Sequence, residues 1–119
     1  MPGTVNPADA APVEAVTGAV GTTRQVLIGA DRAPHFALRR FTMAPGGRMP
    51  RHTNTVEHEQ YVLQGQARVT VGDQVFQVQA HDVVFIPAGV VHDYQNVGAE
   101  PFVFLCSVPN GPDELRVVG

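Results

Sequence analysis

A chain of 119 residues with a formal net charge of −3 is sized for one domain. It lacks the clustered positive charge that a polyanion-binding surface needs, so no nucleic-acid partner is expected. Its apolar residues (44%) are broken up by 12 glycines and 10 prolines into runs too short to span a bilayer, and a single cysteine excludes an internal disulfide. With no basic-then-apolar leader at the N-terminus, a cytoplasmic protein without a membrane partner is expected.

Residues 1–23, "MPGTVNPADAAPVEAVTGAVGTT", are small, punctuated by proline and aperiodic. They read as an N-terminal extension, either flexible or laid across a dimer partner as an extra strand. From Arg24 to the C-terminus, residues 24–119, the texture is that of one β domain. "RQVLIG", "HFALRRFTM", "EQYVLQG", "QARVTVG", "DQVFQVQ", "DVVFIP" and "PFVFLCSVP" are short β-branched or aromatic runs. Turn residues bound them, among them Pro45-Gly46-Gly47, Gly65, Pro87-Ala88-Gly89 and Gly98. "VTVGDQV" has the form of a two-residue hairpin, with Gly72-Asp73 supplying positive φ angles. Only "PDELR", near the end, hints at helical period. The expected fold is all-β: a single-domain antiparallel β-barrel or jelly roll.

Most of the chemistry lies in "PRHTNTVEHEQYVLQG", residues 50–65. Alternation along a strand puts His58, Gln60 and Val62 on one face and Glu59, Tyr61 and Leu63 on the other. His52 and Asn54 share a direction just upstream. His92 follows the turn "PAGVV" and shares its face with Tyr94 and Asn96. Two such strands on opposite walls of a narrow barrel bring three imidazoles together, and imidazole is the commonest ligand for borderline divalent metals. The plain alternative is that these are ordinary surface or core histidines, since His35 and His81 show that the chain also has histidines without an obvious role. Spacing alone leaves both readings open.

The same residues resemble the two signature motifs of the cupin superfamily. Gly46, His52, Asn54, His58 and Gly65 match the first in register. Pro87, Gly89, His92 and Asn96 match the second, with His81 in place of its leading glycine. That turn calls for a positive φ, which histidine tolerates better than bulky residues do. The resemblance is to small single-domain bacterial cupins of the four-histidine, quercetin-dioxygenase-like subgroup. In these a histidine stands where the wider motif has glutamate, as His58 does here. The subgroup's second histidine is Asn54 in this chain, either a weak ligand or an orienting hydrogen-bond partner. The resemblance implies one divalent transition metal ion held by His52, His58 and His92, with Fe or Mn favoured and Zn, Ni or Cu as alternatives. It also implies a homodimer.

Side chains sharing a face with the ligands should line the substrate pocket: Gln60, Val62, Tyr94, and Phe104 and Cys106 on a facing strand, with Met49 and Arg39 as further neighbours. Val62, Phe104 and Met49 read most simply as barrel packing, Cys106 as a small buried hydrophobe and Arg39 as a surface residue. Gln60 and Tyr94 are the candidates for handling protons. Glu57 and Glu59 fall on the outward face. With no nucleophile triad or phosphate loop in the sequence, any chemistry belongs to the metal. The leading expectation is a dioxygenase acting on a small aromatic or enol-like substrate. The alternatives are a non-redox metal-dependent lyase or isomerase, and a small-ligand binding module without turnover.

Overall fold

A computed structural model describes residues 2–118, and Met1 and Gly119, the outer ends of the expected extension and barrel, lie outside the described residues. In chain order the strands are β1 (Glu14–Ala15), β2 (Val20–Ile28), β3 (Phe36–Thr53), β4 (His58–Gln64), β5 (Gln66–Val71), β6 (Gln74–Gln79), β7 (Val83–Ile86), β8 (His92–Asn96), β9 (Phe102–Pro109) and β10 (Arg116–Val117). All pairings are antiparallel and form one curled sheet in the order β6-β5-β8-β3-β9-β4-β7, with β2 and β10 also on β3 and β1 on β2. The all-β jelly-roll class expected from the sequence is what the chain forms.

Alternation does the sorting. β8 and β9 bury every second side chain, and β4 buries His58, Gln60 and Val62 while exposing Glu59, Tyr61 and Leu63. The inner faces pack Met43, Val62, Val69, Ile86, Phe102, Phe104 and Cys106, all nearly inaccessible. Phe104 is stacked between Phe41 and Tyr94, at ring-centroid distances of 5.1 and 5.3 Å.

Three local expectations are corrected. Pro45-Gly46-Gly47 is not a turn between strands: β3 runs through it, pairing with β9 over Phe36–Met43 and with β8 over Arg48–His52. The stretch is where one long strand changes neighbours. In the hairpin, Val71 faces Gln74 as expected, but only Gly72 has a positive φ (63°) and Asp73 does not. One glycine in the first turn position satisfies the twist of the strands. "PDELR" forms no helix; residues 112–115 are irregular and lead into β10, where Arg116 pairs with Thr53 and Val117 with His52. Five residues are too few to nucleate a helix against a strand edge that offers backbone partners.

The sheet also begins before residue 24, because β2 crosses that position without a break. Glu14 of β1 pairs with Arg24 and meets its guanidinium at 2.8 Å, and Gln25 Nε2 donates to the Ala11 carbonyl. Within the single chain described, this segment lies along its own sheet. His81 adopts the left-handed conformation expected of it, with φ 76°.

Gly65, between β4 and β5, has φ 85°, and a Cβ there would collide with the Pro101 carbonyl. Gly65→Ala is therefore expected to destabilise the protein by about 2–4 kcal/mol, adding left-handed strain to a backbone clash. Chemical denaturation measures it; an unchanged midpoint would contradict the close approach.

Candidate metal centre

His52 and His92 face each other directly across β3 and β8, with ring centroids 4.2 Å apart. His58 opens β4, and the curl of the sheet brings its ring within 5.7 Å of His92. The sequence-based picture of two histidine strands on opposite walls is thus corrected: two of the imidazoles are cross-strand neighbours and the third comes from beyond β9. Phe104 and Cys106 likewise stand beside β4, not across from it, since Gln60 pairs with Cys106 and Val62 with Phe104. His52, Asn54, His58 and His92 are all buried.

Each ring is held from its far side. His52 Nδ1 lies 2.7 Å from the Pro50 carbonyl and His92 Nδ1 2.9 Å from the Val90 carbonyl. A carbonyl only accepts, so both Nδ1 atoms carry hydrogen, and in the neutral tautomer this selects, Nε2 is the nitrogen with the lone pair. His58 Nδ1 lies 3.2 Å from Cys106 Sγ, a sulfur that also receives N–H groups from Arg39 (3.4 Å) and Gln60 (3.7 Å). Burial raises the Cys106 thiol pKa, so the group stays a neutral thiol and not a nucleophile, with sulfur lone pairs that can accept from His58 Nδ1–H.

Among the described residues, four buried side-chain polar atoms have no hydrogen-bond partner: His58 Nε2, His92 Nε2, Asn54 Oδ1 and Arg39 Nε. All four belong to residues lining one cavity of about 50 Å³, which His52, Gln60, Tyr94, Met49 and Phe104 also line. Leaving one such group unsatisfied costs about 1–3 kcal/mol, so their convergence requires an occupant. Three of them are acceptors facing a common space, which is what a cation completes. No trio of histidine, cysteine or carboxylate side chains among the described residues stands at metal-closing distance. The fit to a metal ion therefore rests on the orphaned acceptors and the fixed tautomers, with Asn54 contributing one of the donors.

The electrostatics agree. Burial, then the Arg39 charge and the neighbouring His92, lowers the His58 pKa from 6.5 to about 3. His92 is lowered to about 4, again chiefly by burial, with His52 adding to the effect against the Val90 carbonyl. Both rings are neutral near pH 7, the state that binds metal.

The other expected residues divide. Arg39 points inward, its guanidinium 5.1 Å over the Phe41 ring, while Arg40 takes the surface role and bonds Asp9 and Gln25. Tyr94 Oη accepts from Gln60 Nε2 at 2.6 Å, and burial raises the phenol pKa so that it stays protonated. Val62 packs in the core and does not line the cavity; Cys106 acts on it through His58 and Arg39. Glu57 and Glu59 are exposed, as expected. A larger cavity of about 760 Å³ lies between β5, β6 and β7, lined by valines, Phe76 and Phe85 with Gln74, Gln77, His81 and Asp82 among them. It shares no lining residue with the histidine cavity and contains none of the orphaned atoms, so the chemistry belongs to the smaller one.

Sequence reading missed Val16 and Leu115, which close the cavity, and Asp113, which accepts from Asn54 Nδ2 at 3.1 Å across 59 residues of chain. No spacing pattern marks Asp113.

Protons should reveal the buried rings. In the unfolded chain each histidine gains a proton near pH 6.5, whereas folded His58 and His92 resist until about 3 and 4. Between those values the unfolded state holds more protons, so stability is full above pH 6.5 and falls on acidification. For chelator-treated protein the loss between pH 7 and 4.5 is expected to be smaller in His58→Gln by about 2 kcal/mol. Denaturant midpoints at the two pH values measure it; equal losses in the two proteins would contradict the assignment.

The cupin domain sequence profile matches residues 39–108, more than half of the chain. Oxalate decarboxylase OxdC of Bacillus subtilis is 39% identical over 70 residues, which cover 54% of this chain and 18% of that protein. Mannose-1-phosphate guanylyltransferase RfbM of Salmonella typhimurium is 34% identical over 73 residues, 60% of this chain and 15% of that protein. The chain thus spans less than a fifth of the length of these curated relatives. Among solved structures, the polyketide cyclase RemF from Streptomyces resistomycificus aligns with all of this chain and 87% of its own, at 31% identity and a TM-score of 0.87. Two motifs in register, a curled antiparallel sheet and a family profile matching more than half of the chain converge on one conclusion: the chain belongs to the cupin family.

Proposed function

We propose that this protein is a divalent-metal-dependent enzyme acting by non-redox chemistry on a small anionic carbonyl compound, a carboxylate or an enolisable ketone. The observation that carries the reading is the meeting of three orphaned acceptors and one orphaned cationic donor at a single cavity. The acceptors call for a cation. Arg39 calls for an anion.

His52, His58 and His92 would hold the ion, with Asn54 Oδ1 as a fourth, weaker donor. Nitrogen donors with one amide oxygen suit borderline divalent metals. When bound, such an ion supplies Lewis acidity toward a carbonyl or carboxylate oxygen. Because all four protein donors are neutral, none of the ion's charge is cancelled before an anionic substrate arrives. Arg39 then pairs the substrate's negative charge from the Cys106 side of the cavity. Tyr94, kept protonated and oriented by Gln60, offers its O–H as a hydrogen-bond or proton donor. Val16, Leu115, Met49 and Phe104 exclude water around these groups.

The likeness to a polyketide cyclase and to an oxalate decarboxylase supports this class, since a polyketide and oxalate both present carbonyl or carboxylate oxygens. A dioxygenase would use the same ligands, and oxygen separates the two readings. Candidate β-dicarbonyl compounds and small carboxylates are assayed with Zn(II)- or Mn(II)-loaded protein, in air and under argon. Turnover is expected to persist under argon and with zinc. Tyr94→Phe is expected to lower kcat by about 10²-fold, within the range of a single proton-handling group. Arg39→Gln is expected to act mainly on KM. A strict requirement for dioxygen would establish the dioxygenase instead, and binding without turnover of any candidate would favour a ligand-binding module.

A further inference from the structure

We propose that Asp113, in the C-terminal segment before β10, is a positioning residue that turns the Asn54 amide so that its oxygen, and not its nitrogen, faces the three histidines. This rests on the metal-centre reading above and names what makes an asparagine serviceable there. An asparagine amide has two nearly isosteric orientations, and the wrong one would direct N–H groups at a cation. A carboxylate only accepts. Asp113 Oδ2, 3.1 Å from Asn54 Nδ2, therefore selects the NH₂ end and leaves Oδ1 buried, unpartnered and in the histidine cavity.

Asp113 does for Asn54 what Pro50, Val90 and Cys106 do for the three imidazoles: it grips the side of the ligand that faces away from the cavity. It also adds charge. Donation from the amide to a carboxylate polarises the amide and makes its oxygen a stronger donor, which offsets the weakness of a neutral oxygen among imidazoles.

The carboxylate is itself held. Asp113 Oδ1 accepts from Thr55 N at 3.0 Å and from Thr55 Oγ1 at 3.2 Å, and Glu114 N donates to Thr55 Oγ1 at 2.9 Å. Further along, β10 pairs with Thr53 and His52, and Val118 N donates to the Arg51 carbonyl at 2.8 Å. The end of β3 that carries His52 thus sets the position of the segment that orients Asn54.

Co(II) affinity, measured on the full chain by competition with a chelating dye, tests the role independently of turnover. The proteins are wild type, Asp113→Ala, Asp113→Asn, Asn54→Ala and the Asn54→Ala/Asp113→Ala double variant, each with its denaturation midpoint in chelator. Asp113→Ala is expected to weaken Co(II) binding about 10–100-fold in the wild-type background, the usual effect of removing a group that orients a ligand. In the Asn54→Ala background the same change is expected to alter affinity less than about twofold, because the residue it acts through is gone. Asp113→Asn, whose own amide oxygen can still accept from Asn54, is expected to retain part of the affinity, and it provides the same comparison if the alanine variant does not fold. Equal weakening in both backgrounds would show a merely structural role for the segment and overturn the inference, as would unchanged affinity in Asp113→Ala. Failure of wild type to bind Co(II) at all would overturn the metal centre, and this inference with it.

Discussion

The register of β3 against β8 is the constraint on which the rest of the site depends. His52 and His92 meet because those two strands pair one residue against the other, and a one-residue slip would send either ring to the opposite face. β3 pairs with β2, β8, β9 and β10, and it changes from β9 to β8 within its own length. One strand thereby gathers Arg39 from its first half and His52 from its second, while its end receives the C-terminal segment. Displacing it would scatter the site, not merely loosen it.

Desolvation then decides what the gathered groups are. In water, neutral imidazoles and an amide oxygen would be satisfied by solvent. Here burial keeps His58 and His92 uncharged near neutral pH and leaves their Nε2 atoms without hydrogen-bond partners. A half-buried cation nearby, Arg39, reinforces the neutral state of His58. The protein thus bears several kcal/mol of unsatisfied polarity at one point, which a cation and an anion together would relieve. Such concentrated polarity in a well-packed β-barrel is the pattern of a functional site.

Much of this was legible in the sequence. Period-two alternation marked the strands, and two spaced motifs marked His52, Asn54, His58 and His92 as inward-facing neighbours. What escaped reading was set by tertiary contact. Nothing local to "ALRRF" decides which arginine turns inward; register against Cys106 and the ring of Phe41 does. "PDELR" has helical composition, but the edge of β3 pairs with its last residue, Arg116, and the residues before it stay irregular. Asp113 meets Asn54 across 59 residues of chain that include β4 to β9, at a separation that no motif spacing encodes. The adjacency of β4 and β9 could not be read either, because strand order in a jelly roll is a property of the closed sheet.

The central claim is that His52, His58 and His92, with Asn54, hold a divalent transition metal. Elemental analysis of protein purified without a metal-affinity tag, alongside His58→Ala prepared identically, tests it most directly. Near-stoichiometric transition metal in the wild type and its loss in the variant are the expected result. The same metal content in both proteins would contradict it.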